Sequence, residues 1–223
     1  MAGLHRPESQ SRVFSAGCDA LGLDTQKKSI RASERNEAAR AVWWQEVVKL
    51  DPARLVFVDE SGSHVAMTPA YARAPKGKRA NAAVPKNRGR NTTILGALSL
   101  AGWQVAMTLE GAADTLAFEA FIEHFLCPIL VPGQIVVLDN LSIHKSGQVR
   151  HLLEEVGCTL LFLPTYSPEL NPIELAWSKL KTFLRRIGAR TRELLEVAIG
   201  DGLETITPQD ANHWFQHVGY QLN

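Results

Sequence analysis

The stretch Gln134-Ile135-Val136-Val137-Leu138-Asp139-Asn140 decides how this chain folds. Four apolar residues in succession, after Pro132-Gly133 and before a polar loop, predict a short strand buried on both faces. Such a strand belongs to an α/β sheet, where ligands gather beyond the carboxyl ends of the strands. Asp139 stands at that end, and a carboxylate there is costly unless something binds it. Asp139 and Glu174 are separated by 34 residues, room for a helix, another buried strand and a loop. The last part of that span reads Thr165-Tyr166-Ser167-Pro168-Glu169-Leu170-Asn171-Pro172-Ile173-Glu174. Asn171 suits an N-cap, Pro172 the first helical position and Glu174 the third, so a helix is predicted to start here. That geometry returns Glu174 to the end of the Asp139 strand.

Upstream, Leu55-Val56-Phe57-Val58-Asp59 is a second buried strand ending in a carboxylate, and strand alternation sends Glu60 to the opposite face. Thr92 to Leu100 and Trp103 to Leu109, joined by Ala101-Gly102, predict a hairpin. Asp114-Thr115 opens an amphipathic helix with Leu116, Phe118, Phe121, Ile122, Phe125, Leu126 and Ile129 as its apolar positions. After the Asp139 strand comes a short helix with Val149, Leu152, Leu153 and Val156 inward, stopped by Gly157. The strand Thr159–Leu163 follows. The helix opened at Asn171 carries Ile173, Ala176, Leu180, Phe183, Leu184 and Ile187 on one side and Glu174, Ser178, Lys181 and Arg185 on the other. Trp177 reads as core packing. Two helices close the chain, the second capped by Thr207 with Asp210 at its third position. At the other end, a short helix is expected from Ser11 to about Leu21 and a stronger one from about Ser33, its expected cap, to Leu50, ended by Asp51-Pro52. The pair Trp43-Trp44 cannot point at one core, so one ring packs on a neighbouring element. The order of elements predicts an α/β mixed sheet, antiparallel at first and parallel later, flanked by helices.

With 223 residues, 45% of them apolar, the chain has the size of one domain with an N-terminal attachment. No window is apolar and long enough to span a membrane, and no secretion signal opens the sequence. Three cysteines (Cys18, Cys127, Cys158), odd in number and without metal-type spacing, fit a reduced, cytoplasmic protein. The net charge of +1 gives no argument for nucleic acid, but its distribution does. Arg73, Lys76, Lys78, Arg79, Lys86, Arg88 and Arg90 follow one another with no acidic residue between, in a stretch that reads as a long loop or β-arm.

Asp59, Asp139 and Glu174 are each unremarkable alone, as a turn former, a loop opener and a capping glutamate. Brought to one edge of a hydrophobic sheet they repel one another, and a cation relieves that. Oxygen ligands without His or Cys suit Mg²⁺ or Mn²⁺. Two such ions roughly 3.5–4 Å apart activate a water or a 3′-hydroxyl and stabilise the leaving oxygen in phosphodiester chemistry. Glu169 is the rival third carboxylate, in a Pro-bounded loop. With such a site in the domain, Lys76, Lys78, Arg79, Lys86, Arg88 and Arg90 are expected to contact the DNA backbone, the alternative being a solvated loop. Lys181 and Arg185 join them along the exposed helix edge. His144 and Lys145, just past Asp139, are candidates to steady the scissile phosphate, or a surface loop pair.

Val58-Asp59-Glu60-Ser61-Gly62, Leu138-Asp139-Asn140 with His144-Lys145, and Tyr166 through Glu174 with Trp177 resemble DDE transposases. The likeness is to the mariner superfamily, in its bacterial insertion-sequence branch, and covers about residues 20–220. It implies a ribonuclease-H-like fold, Asp59, Asp139 and Glu174 as metal ligands, and two Mg²⁺ or Mn²⁺ ions. It further implies double-stranded DNA partners, namely transposon ends and a TA-containing target, a homo-oligomer on DNA, and a bacterial, nucleoid-associated setting. The family carries helix-turn-helix modules upstream. Residues 1–50 are accordingly expected to be a helical remnant or linker of such a DNA-binding region and 51–223 the catalytic domain, the chain being either an N-terminally truncated copy or the downstream half of a gene read in two frames, completed by an upstream-frame polypeptide. The rival expectations are a catalytically silent DNA-binding or assembly remnant and a nonspecific nuclease.

Overall fold

The computed structural model describes residues 32–69 and 71–222. The helix expected over Ser11–Leu21 and the thiol of Cys18 lie outside the described residues, and Cys127 and Cys158 are free thiols. Among the described residues no helix is long and apolar enough to cross a membrane.

Five strands form one sheet: β1 (Leu55–Ser63), β2 (Thr92–Ser99), β3 (Gly102–Glu110), β4 (Ile135–Leu138) and β5 (Thr159–Phe162), in the order β3-β2-β1-β4-β5. β1 pairs antiparallel with β2, and β2 with β3, while β4 runs parallel to both β1 and β5. The expected change from antiparallel to parallel pairing therefore falls at β1. β4 is buried along its whole length, as its unbroken apolar run requires. β5 is half-buried, because it is an edge strand and not the fully buried one expected.

Alternation along the strands separates two cores. One face receives Leu55, Phe57, Ile94, Leu98 and Val137, covered by α1 (Glu37–Val47), α4 (Ile173–Ile187), α5 (Arg192–Glu204) and α6 (Pro208–Val218). The other receives Val56, Val58, Leu95, Ala97 and Leu138, covered by α2 (Thr115–Phe121) and α3 (Gly147–Glu155). α2 continues into a π-helical turn at Ile122–Leu126. The wider turn rephases the apolar stripe, so Ile122 and Leu126 are buried while Phe125 and Ile129, expected on the same face, are exposed; Leu116, in the first turn of α2, is exposed as well.

α1 starts later than expected, with Asn36 rather than Ser33 as its cap, the Asn36 side chain accepting from the Ala39 N–H. It buries Trp43 and Val47 in the core shared with β1, and Trp44 turns to Tyr220 at 5.5 Å between ring centroids. Burying side chains of this size stabilises by roughly 1.5–3 kcal/mol each. Glu34–Asn223 accordingly form one compact unit, so α1 is part of the body carrying the sheet, although a boundary was expected at residue 50. α6 has the expected capping box between Thr207 and Asp210.

Candidate active site

β1 continues past Asp59 to Ser63, because β2 goes on pairing with it there. Its parallel pairing with β4 stops at Phe57, so Asp59 sits where β1 has lost that neighbour and a cleft opens. The side chain is nearly buried on the α4 face, and its Oδ2 accepts a hydrogen bond from the Trp177 indole Nε1 at 3.2 Å. Burial first, then the Glu174 charge, pushes the Asp59 carboxyl up to about 7, against the opposing backbone N–H of Glu60.

Asp139 follows β4 directly. Its Oδ1 accepts from the Leu141 N–H at 3.0 Å and lies 2.5 Å from His144 Nδ1. His144 is completely buried, its ring against Phe118 at 4.2 Å, with Nε2 3.1 Å from Glu60 Oε2. Burial disfavours the imidazolium, but its hydrogen bonds to Asp139 and Glu60 outweigh it and raise His144 to about 9. Both ring nitrogens therefore carry protons and donate. Glu60 does point to the opposite face from Asp59, as alternation requires, and there it holds the ring that holds Asp139. The expectation that His144 steadies a DNA phosphate does not survive: a ring with no exposed surface between two carboxylates has nothing to offer DNA. Lys145, beside it, is exposed.

Glu174 lies in the first turn of α4. Burial raises its carboxyl, Lys181 opposes this, and Asp139 adds to it. The Asn171 cap does not form. Pro172 already has helical angles and occupies the cap position, while Asn171 gives only its backbone carbonyl to the Glu174 N–H. The Asn171 Oδ1 is buried without a partner. Glu169, the rival carboxylate, is held away by Arg35 at 2.5 Å and Arg40 at 2.9 Å.

Asp59, Asp139 and Glu174 line one pocket of about 360 Å³, rimmed by Asn140, Ser142, Thr165 and Tyr166. Among the described residues no three carboxylate, imidazole or thiolate groups stand close enough to form a ready-made metal cage. The three carboxylates share the pocket, and each of the two on the sheet has one oxygen tied to a buried ring. The donor set is all oxygen, the kind that suits Mg²⁺ or Mn²⁺. A second groove, also bordered by Glu174, is lined by Trp177, Ser178, Lys181 and Arg185. Lys76, Lys78, Arg79, Lys86, Arg88 and Arg90 are exposed on the loop between β1 and β2, where no strand forms among the described residues. Arg90 pairs with Glu110 at 3.3 Å, and the charges of Arg88 and Arg185, after burial, hold His64 below its ordinary value.

A family profile described as "DDE superfamily endonuclease" matches residues 54–196. The chain belongs to that superfamily. Among curated proteins the chain is similar to the Tcb1 transposase of Caenorhabditis briggsae, 26% identical over 200 residues, 83% of this chain and 73% of the relative. The Tcb2 transposase of the same organism is 26% identical over 170 residues, 70% of this chain and 62% of the relative. The fold is that of the Mos1 transposase. Its paired-end complex with the left transposon end superposes with TM-score 0.67 at 16% identity, over 94% of this chain and 71% of that one. The isolated Mos1 catalytic domain gives 0.56 at 13% identity, over 87% and 92%. The expected ribonuclease-H-like architecture is thus present in a DDE superfamily endonuclease.

Sequence reasoning missed three arrangements: the Trp177–Asp59 bond, the Glu60–His144–Asp139 bridge and the Arg35–Arg40–Glu169 cluster. The bridge had one available signal, since alternation had already placed Glu60 on the face opposite Asp59.

Proposed function

We propose that this DDE endonuclease is the catalytic part of a DNA transposase that cuts and rejoins the ends of an insertion sequence of the bacterial mariner branch. The observation that carries the proposal is the meeting of Asp59, Asp139 and Glu174, from β1, the end of β4 and the start of α4, in one pocket. Those carboxylates would hold two divalent ions, Mg²⁺ or Mn²⁺, supplying Lewis-acid activation of the nucleophile and stabilisation of the leaving oxygen. Solved Mos1 paired-end complexes include forms with Mn and with Mg.

In cleavage a water oxygen attacks the phosphorus, the bond to the 3′-oxygen breaks, and that oxygen takes up a proton. In strand transfer the freed 3′-hydroxyl attacks a phosphodiester of a TA-containing target, displacing the target's own 3′-oxygen. The chain's residues contribute orientation: Trp177 and His144 each fix one carboxylate, while Lys181 and Arg185 border the groove beside Glu174. Together with Lys145 and the exposed cations Lys76, Lys78, Arg79, Lys86, Arg88 and Arg90, they would track the DNA backbone. The working form is a homo-oligomer on nucleoid DNA, with end recognition supplied by helix-turn-helix modules and the unit that begins at Glu34 providing the chemistry.

The test is a comparison of D59N, D139N and E174Q with E169Q in Mn²⁺-dependent nicking of a labelled duplex. The first three should lose cleavage by several orders of magnitude, whereas E169Q retains it because Glu169 is engaged with Arg35 and Arg40. Activity in E174Q together with inactivity in E169Q would move the third ligand to Glu169.

A further inference from the structure

Gly96 is the residue directly opposite Asp59 in the β1–β2 pairing. Residues opposed in this way share a face of the sheet. A side chain at Gly96 would therefore stand beside Asp59. Its absence leaves a slot that two indoles fill: a Cβ there would lie 2.2 Å from Trp103 and 3.0 Å from Trp177. The two rings meet edge to face at 4.9 Å. Both are packed, but only one is bonded. Trp103 Nε1 is buried with no partner, whereas Trp177 Nε1 reaches Asp59 Oδ2.

Trp177 also stands three residues after Glu174 on the same helix, and it borders the groove next to that glutamate. One rigid ring thus links α4, which carries one carboxylate of the pocket, to the β1 carboxylate. An indole has a single donor and no acceptor, so it can hold one carboxylate oxygen and no more. We propose that Trp177 is a positioning residue for metal binding, its N–H fixing Asp59 Oδ2 so that the other Asp59 oxygen is presented to a divalent ion. This rests on the proposed function in one respect, that Asp59 is a metal ligand. A donor behind a ligand sets the ligand's orientation, and its loss typically lowers metal affinity about 10–100-fold.

Mn²⁺ binding to the full chain, followed by loss of the free-ion electron paramagnetic resonance signal, separates the possibilities across wild type, D59N, W177F and W103F. Both Trp→Phe variants lose ring packing, but only W177F loses a hydrogen bond. The expected result is Mn²⁺ affinity about tenfold weaker in W177F, unchanged in W103F and weakest in D59N. Saturating Mn²⁺ should restore W177F cleavage, since the defect lies in binding. Equal affinities in W177F and W103F, with D59N impaired, would overturn the role of Trp177 and leave the proposed function standing. Wild-type affinity in D59N would instead remove Asp59 from the metal site. If W177F does not fold, ¹⁵N-indole spectra of the native chain decide. The indole N–H resonance displaced by D59N should also be displaced by Mg²⁺, and an indole spectrum indifferent to both overturns the proposal.

Discussion

The two faces of the sheet treat their carboxylates differently. On the α4 face Asp59 is nearly buried, and its side-chain partner is a neutral indole. Asp139, just past the end of β4, keeps about a third of its side chain in solvent and is held by an imidazole that packs on Phe118 of the α2–α3 face, between it and Glu60. A neutral donor orients a carboxylate without cancelling its charge, so burial first and then the repulsion from Glu174 keep the Asp59 carboxyl raised to about 7. A charged ring does cancel charge, and His144 remains protonated to about pH 9. The indole side is therefore the one that leaves charge for a cation to neutralise. The imidazolium side is a finished ion bridge that gives shape.

The largest effect expected from this contrast is the loss of the bridge. His144→Ala removes a buried charge held by two carboxylates and leaves a cavity against Phe118. Breaking a buried pair costs about 3–5 kcal/mol, and the partial exposure of Glu60 and Asp139 places this one near the lower figure. Urea denaturation of the metal-free protein measures it, and a loss no larger than that of a surface alanine would mean the bridge is ornamental to stability.

The next effect distinguishes the faces by pH. Native Asp59 takes up its proton near pH 7, whereas an ordinary aspartate does so near 3.8. The native state thus binds the extra proton between those values, and metal-free stability falls as pH rises through that window. His144 is raised from 6.5 to about 9, so its contribution is full below 6.5 and is lost as pH passes 9. Each pH unit of such a window carries at most about 1.4 kcal/mol, so D59N should escape a loss of up to about 4 kcal/mol between about pH 4 and 7 while keeping the later decline. H144Q should keep the earlier decline and lose the later one. Melting temperatures taken across pH without metal test both, and a single shared window would show that the two faces titrate together.

The parts of this molecule that are legible in its sequence are those where burial writes a pattern. β4 is buried on both faces and reads as an unbroken apolar run; the β2–β3 hairpin and the stripe of α4 follow in the same way. The polar run Glu60-Ser61-Gly62-Ser63 predicts an end to β1 at Asp59, yet pairing with β2 holds those residues in the strand. The expected cap of α1 is misplaced because Ser and Asn serve that position equally well. All three carboxylates can be named from strand ends and a helix start. How they are held cannot: His144 is only five positions past Asp139, but it meets Glu60 across 84 positions and Trp177 meets Asp59 across 118, separations no local pattern records. Trp177 is expected to be core, and it is. Its donor role depends on a glycine in a third element, strand β2.

That glycine supplies the smallest and most discriminating effect. Gly96→Ala places a methyl group 2.2 Å from Trp103 but 3.0 Å from Trp177. Trp103 is half-buried on the edge strand β3 and has no hydrogen bond to lose, so it is the ring that yields. The cost expected for such overpacking is about 1–2 kcal/mol of stability, read from the urea midpoint. Mn²⁺ affinity should barely change, because Trp177 keeps its bond to Asp59. Were G96A to weaken Mn²⁺ as W177F is expected to, the orientation of Asp59 would depend on how deeply the indoles seat rather than on the N–H. The neutral-donor face would then be a packing device, and its contrast with the imidazolium face would be one of shape rather than of charge.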